Sequence, residues 1–273
     1  MSEFQILSPI GLVAGNGSLP KEFALEAKAQ GLDLFVVAHL GETDPNIEHL
    51  AKAIKWVKVG ELGKLISFFL KSGVRSVAFA GGIRRIRLFG GVKLDLKGLA
   101  LIARIGSLKD DAILRAVAAE LEKEGIKVIS VTDLIPKLTP HSGVLTKRVP
   151  SEEECKAATI GFEAANRLGE LDIGQTVVIN GGIVVAVEAV EGTDQAIERA
   201  GILSGEGAVV VKAVKPIQDI RLDLPTIGPG TIAVMRKAGA KALFIRSGST
   251  ILLQPHRVIQ DADNFGIAIS VID

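Results

Sequence analysis

The chain has 273 residues, 48% of them hydrophobic and 23% charged, with Lys+Arg 32 against Asp+Glu 31 for a formal net charge of +1. Only 4% of the residues are aromatic and none is tyrosine, which argues against the basic surface and stacking platforms of a nucleic-acid binder. A lone cysteine, Cys155, permits no intrachain disulfide; with no signal-peptide pattern at the start and no apolar run long enough to span a bilayer, a cytoplasmic protein is expected.

The hydrophobic pattern predicts a strand over 10–14, a helix over 21–30, strands over 32–38 and 56–59, a helix over 62–71 and a strand over 74–80. A helix over 112–121 and a strand over 126–131 follow. Alternating strands and helices with near-continuous apolar strands imply a parallel sheet covered on both faces, so the first half is read as Rossmann-like. Pro136, Pro140, Gly143 and Pro150 punctuate a crossover, and the domains are set at 1–148 and 149–273. Ser151 with Glu154 three positions on is a capping box, predicting a helix to about residue 168; Cys155 falls inside it and is read as a small packing residue. Asn180-Gly181 between β-rich arms predicts a hairpin over 176–187. Then come a helix over 194–200, a strand over 208–214, a non-periodic stretch over 216–230, a helix over 231–238, strands over 242–245 and 250–253, a helix over 256–265 and a strand over 267–272. The fold class is therefore α/β: a Rossmann-like parallel-sheet N-terminal domain and a distinct mixed α+β C-terminal domain.

Three constellations carry chemistry. Gly15 and Gly17 sit in a strand–loop–helix turn, and Gly81 and Gly82 follow the strand over 74–80; both pairs allow backbone amides to approach a phosphate, and both serve a structural turn equally well. As a dinucleotide fingerprint the first fails, because Pro20 occupies the third glycine position and the next strand ends in Ala38-His39 without an acid. Arg84, Arg85 and Arg87 read either as an anion clamp or as a solvated basic loop. The third region is rich in acids: Glu191 and Asp194, then Lys215, Gln218, Asp219, Arg221 and Asp223. If 218–224 is extended, Asp219, Arg221 and Asp223 share one face while Ile220, Leu222 and Leu224 share the other. Such a set suits either a salt-bridge ladder or Mg²⁺, which takes one or two carboxylates with phosphate oxygens and water. The Gly- and Pro-rich stretch from Thr226 to Thr231 would add amides for an anion. No His or Cys spacing suits zinc.

These residues resemble the LpxI-type UDP-2,3-diacylglucosamine pyrophosphatases of lipid A biosynthesis, over essentially the whole chain. The resemblance is carried by Ala14-Gly-Asn-Gly-Ser-Leu-Pro20, Ala80-Gly-Gly-Ile83 and Lys109-Asp110-Asp111, and by Glu191-Gly-Thr-Asp194. It continues through Lys215-Pro-Ile-Gln-Asp219, Arg221-Leu-Asp-Leu-Pro-Thr-Ile-Gly-Pro229 and the ending His256 to Ile267. Arg84-Arg85-Ile86-Arg87 departs from it, where the family has an Arg-Pro pair. The resemblance implies cleavage of the substrate pyrophosphate to UMP and 2,3-diacylglucosamine 1-phosphate, dependent on Mg²⁺ with Mn²⁺ as the alternative ion. It makes Asp223 the first catalytic candidate, with Asp219, Arg221 and Lys215 beside it. Glu191, Asp194, Asp219 and Asp223 become the metal candidates. Gly15, Gly17, Gly81, Gly82, Asp110, Asp111, Thr193, Gln218 and Thr226 become the substrate-binding candidates. A lipid-linked UDP-sugar substrate, transient contact with the inner-membrane surface and a homodimer are the expected partners. The competing expectations are a non-catalytic nucleotide- or lipid-binding module and a nicotinamide-dependent oxidoreductase.

Overall fold

The computed structural model of the chain describes residues 8–83, 94–106 and 110–273. It forms two compact units, one of Met1–Pro136 with Asp219–Asp223, the other of Lys137–Gln218 with Leu224–Asp273. The expectation for Arg84, Arg85 and Arg87 lies outside the described residues.

The first unit contains β1 (Ile10–Ala14), α1 (Leu19–Ala29), β2 (Leu34–His39), β3 (Ala53–Val57), α2 (Leu62–Lys71) and β4 (Ser76–Ala80). It continues with α3 (Leu96–Ile105), α4 (Asp110–Lys123), β5 (Lys127–Ile129) and the single turn α5 (Val131–Leu134). Its sheet is all parallel, in the order β3-β2-β1-β4-β5. Every residue of β1 and β4 is buried, as strands covered on both faces require. Leu62, Leu65, Ile66 and Phe69 form the buried stripe of α2 at helical spacing. Pro20 lies in the first turn of α1, where its missing N–H costs nothing. The strand predicted over 126–131 ends at Ile129 because Ser130 caps α5: its Oγ accepts from the Thr132 amide, and Asp133 accepts from the Ser130 amide. Helix α3 has no counterpart in the predicted elements. Asp95 caps it, accepting from the Gly98 amide, and Gly106 ends it in the left-handed region.

The second unit contains β6 (Gly143–Val144), α6 (Glu152–Glu170), β7 (Thr176–Asn180), β8 (Ile183–Val187), α7 (Thr193–Ser204) and β9 (Val209–Lys212). Then come β10 (Thr226–Ile227), α8 (Pro229–Lys237), β11 (Ala242–Arg246), β12 (Ile251–Leu252), α9 (Pro255–Phe265) and β13 (Ala268–Ile272). The sheet order is β6-β13-β11-β9-β7-β8; β9, β11 and β13 run parallel, while β7 pairs antiparallel with both neighbours and β6 antiparallel with β13. Alternation along β9 divides the core: Val210 joins Ile197, Ile245 and Val258 on one face, and Val209 and Val211 join Phe162, Ile179 and Phe244 on the other. The Ser151–Glu154 capping box is present in full. Cys155, expected to pack, is instead exposed on α6; the helix buries Ala157, Ala158, Gly161 and Phe162. The hairpin forms, but Asn180 stays in β7 opposite Ile183, and the tight turn is Gly181-Gly182, with φ of 57° and 76°. Two successive left-handed residues match a type I′ turn.

Candidate functional site

In the first unit the strand order reverses between β1 and β4, and the loops leaving both strands meet there, where ligands of open parallel sheets bind. The Gly15 amide donates to Ala80 O and the Asn16 amide to Gly82 O, each at 2.8 Å. A Cβ on Gly15 would lie 2.3 Å from Gly82 O, and one on Gly81, whose φ is +79°, would lie 2.1 Å from Asn16 O. Gly15, Gly81 and Gly82 are thus brought together, and the contact between the loops itself accounts for the glycines at 15 and 81. Gly17, at φ +84°, faces open space. Beside them is a buried polar cluster absent from the sequence candidates. Ala14 O accepts from His39 Nδ1 at 2.9 Å and from Thr43 Oγ1 at 2.6 Å, and Asn16 Nδ2 donates to Glu42 Oε2 at 2.9 Å. Burial pushes the His39 imidazole below its ordinary range, against the opposing pulls of Ala14 O and Glu42. The available signal was an acid just past the second strand; Glu42 lies beyond the strand end at which the fingerprint is sought.

Residues 219–223 are not extended. The amides of Leu222 and Asp223 donate to Asp219 O, and Asp219 Oδ1 accepts from the Arg221 amide, making a closed turn. The predicted two-faced ladder is therefore corrected: Leu222 joins the first unit's core with Phe69 and Leu121, Ile220 is exposed, and Asp223 is exposed. Arg221 pairs with Asp219 at 2.7 Å and with Glu122 at 2.8 Å. The guanidinium's hydrogen bonds hold the Asp219 carboxyl below the ordinary aspartate range. Asp111 is buried, ion-paired to Arg115 at 2.7 Å, and lies 3.5 Å from the Asp219 amide. Asp110 begins α4; its side chain lies outside the described residues.

In the second unit Lys215 is 2.6 Å from Asp172, in an ion pair whose side chains are 8% and 6% exposed. Gln218 Oε1 accepts from Gln175 Nε2 and from the Lys215 amide, closing the turn after β9. Glu191 takes Arg199 at 2.6 Å and the Ala189 amide; hydrogen bonds from backbone amides, its own first, and from Arg199 hold it below the ordinary glutamate range. Asp194 is exposed at the start of α7, yet surrounding protein pushes its carboxyl up, Lys212 pulling it down and Glu198 and Glu188 adding to the rise. Thr193 Oγ1 meets Lys212 Nζ at 2.8 Å and Thr176 Oγ1 at 3.3 Å, and Thr226 O accepts from Lys212 at 3.1 Å. Lys212 was missed because it reads as the polar end of an apolar strand.

The expected metal ligands are divided: Asp219 and Asp223 belong to the first unit, Glu191 and Asp194 to the second. Among the described residues no group of three or more His, Cys, Asp or Glu side chains is placed so that it could hold a metal ion. An ion held by one or two carboxylates together with phosphate oxygens and water does not require such a group. Among the described residues, no helix is long and apolar enough to cross a membrane.

The model of the LpxI N-terminal domain matches residues 9–138, and that of the LpxI C-terminal domain matches 141–270. The chain belongs to the LpxI family. A member from Caulobacter vibrioides, named UDP-2,3-diacylglucosamine pyrophosphatase LpxI, is 34% identical over 278 residues, covering 97% of each chain. Among solved structures, the biotin carboxylase subunit of pyruvate carboxylase is 15% identical at a TM-score of 0.25, covering 72% of this chain and 42% of that one. N5-carboxyaminoimidazole ribonucleotide synthetase from Thermotoga maritima is 16% identical at a TM-score of 0.25, covering 68% and 43%. This LpxI-family chain spans less than half the length of either solved chain.

Proposed function

We propose that this chain hydrolyses the pyrophosphate of UDP-2,3-diacylglucosamine to UMP and 2,3-diacylglucosamine 1-phosphate in lipid A biosynthesis. The observation that carries the reading is the 34% identity to the Caulobacter vibrioides pyrophosphatase over 97% of both chains. Asp223, exposed in the Asp-Leu-Pro-Thr-Ile-Gly string, is the acid assigned to the reaction, to orient the attacking water or to hold the ion. A Mg²⁺ ion, when bound by such a carboxylate, neutralises charge on the pyrophosphate and lowers the pKa of bound water. Asp219 is committed to Arg221, and Lys215 to Asp172, each pair supporting the fold of its own unit. The substrate's two acyl chains, at about 0.8 kcal/mol per buried CH₂, favour transient work at the inner-membrane surface from the cytoplasmic side. A homodimer is the assembly we assign by base rate.

The test is UMP release from the UDP-lipid with Mg²⁺ present. Wild type should release UMP, EDTA should abolish release, and Asp223→Ala should lower the rate about a hundredfold or more while keeping the fold by circular dichroism. No UMP from the wild type would overturn the hydrolase reading, and unchanged turnover in Asp223→Ala would remove that residue from it.

A further inference from the structure

Lys212 ends β9 after three valines and is 7% exposed. An ammonium in that position is costly unless opposite charge or good hydrogen bonds compensate it. Its partners are both neutral: the Thr193 hydroxyl and the Thr226 carbonyl. These occupy two of its three N–H donors, and among the described residues no carboxylate is within ion-pairing distance of it. The two cations proposed from the sequence differ. Lys215 is neutralised by Asp172, and Arg221 by Asp219 and Glu122. Of these three cations, Lys212 alone makes no direct ion pair.

Its position suits an anion. β9 runs parallel to β11, with Lys212 opposite Ile245, so the ammonium lies at the carboxyl end of parallel strands. The bond to Thr193 sets it beside the first residue of α7, a twelve-residue helix whose N-cap, Gly192, has no capping side chain. Asp194, Glu198 and Glu188 are the acids nearby, and Lys212 acts on Asp194 only through space. We propose that Lys212 is a substrate-binding residue that takes an oxygen of the phosphoryl groups cleaved by this enzyme. This inference rests on the hydrolase reading above and replaces Lys215 with Lys212 as the cation that meets phosphate.

The test compares ligands within one variant, so that a general loss of packing cancels. Binding of UMP against uridine, and of 2,3-diacylglucosamine 1-phosphate against 2,3-diacylglucosamine, is measured by calorimetry for wild type and Lys212→Met. Methionine keeps the stem in the strand and breaks no direct ion pair. Wild type should prefer the phosphorylated member of at least one pair, and Lys212→Met should lower that preference about tenfold or more. If Lys212→Met does not fold, Lys212→Gln makes the same comparison. An unchanged preference, or equal weakening of phosphorylated and phosphate-free ligands, would overturn the inference and make Lys212 a structural residue. Neither outcome depends on turnover, so a failure here is distinct from the absence of UMP release.

Discussion

The Lys215–Asp172 pair allows a test of what a buried cation in this region does. At 2.6 Å and an effective dielectric near 20, its gross attraction is roughly 332/(20 × 2.6), or about 6 kcal/mol, much of which offsets desolvation of two side chains that are 8% and 6% exposed. Removing one partner strands the other, so Lys215→Met should cost about 3–5 kcal/mol. Asp172 has φ 60°, which asparagine tolerates, so Lys215→Met/Asp172→Asn removes both charges without forcing the backbone. That double variant should lie within about 2 kcal/mol of wild type, leaving a coupling of about 2 kcal/mol or more between the sites. Urea denaturation followed by fluorescence of the chain and by circular dichroism gives the stabilities, and UMP release gives the activity. The double variant should recover most of the turnover. Additive stability losses would refute the pairing argument, and a stable but inactive double variant would return Lys215 to the chemistry.

Two further outcomes follow from the first unit. Gly81→Ala should cost about 2–3 kcal/mol or prevent folding, because its Cβ meets Asn16 O at 2.1 Å at a positive φ, whereas Gly17→Ala, with open space around it, should cost about 1 kcal/mol. Equal urea midpoints for the two variants would contradict the loop contact. Burial lowers the folded-state pKa of His39 below its ordinary 6.5, so between those values the unfolded chain binds a proton that the folded chain refuses. Stability should therefore be full above about pH 7 and fall as pH drops through the unfolded value toward the folded one. Urea midpoints from about pH 7.5 to 5.5 check this, and His39→Gln should flatten that part of the slope.

Where local pattern and tertiary environment agree, the structure was legible from residues alone. The ends of α2 follow its apolar stripe, and the start of α6 follows Ser151 and Glu154. Helix α3 was hidden because its apolar residues surround it: Leu96 and Leu99 are exposed, and only Gly98 and Leu101 are buried. The alternation at 219–223 suggested a strand, but Asp219 closes its own backbone into a turn, a choice that short acidic side chains offer and periodicity does not register. The acid-rich region was found, and the pairings inside it were not. Whether a lysine is neutralised depends on Asp172, 43 residues away in sequence, or on the lack of such a partner.

Leu222 has a consequence for how this polypeptide is made. The N-terminal core it completes is otherwise built from residues before Pro136, so ribosomal synthesis must run far past that point before the plug exists. A gene truncated at the boundary of the two family models would encode a nascent layer with an apolar gap and with Glu122 stripped of Arg221. Such a fragment should associate with holdase chaperones, and a synthetic peptide spanning the missing loop should compete for the vacancy.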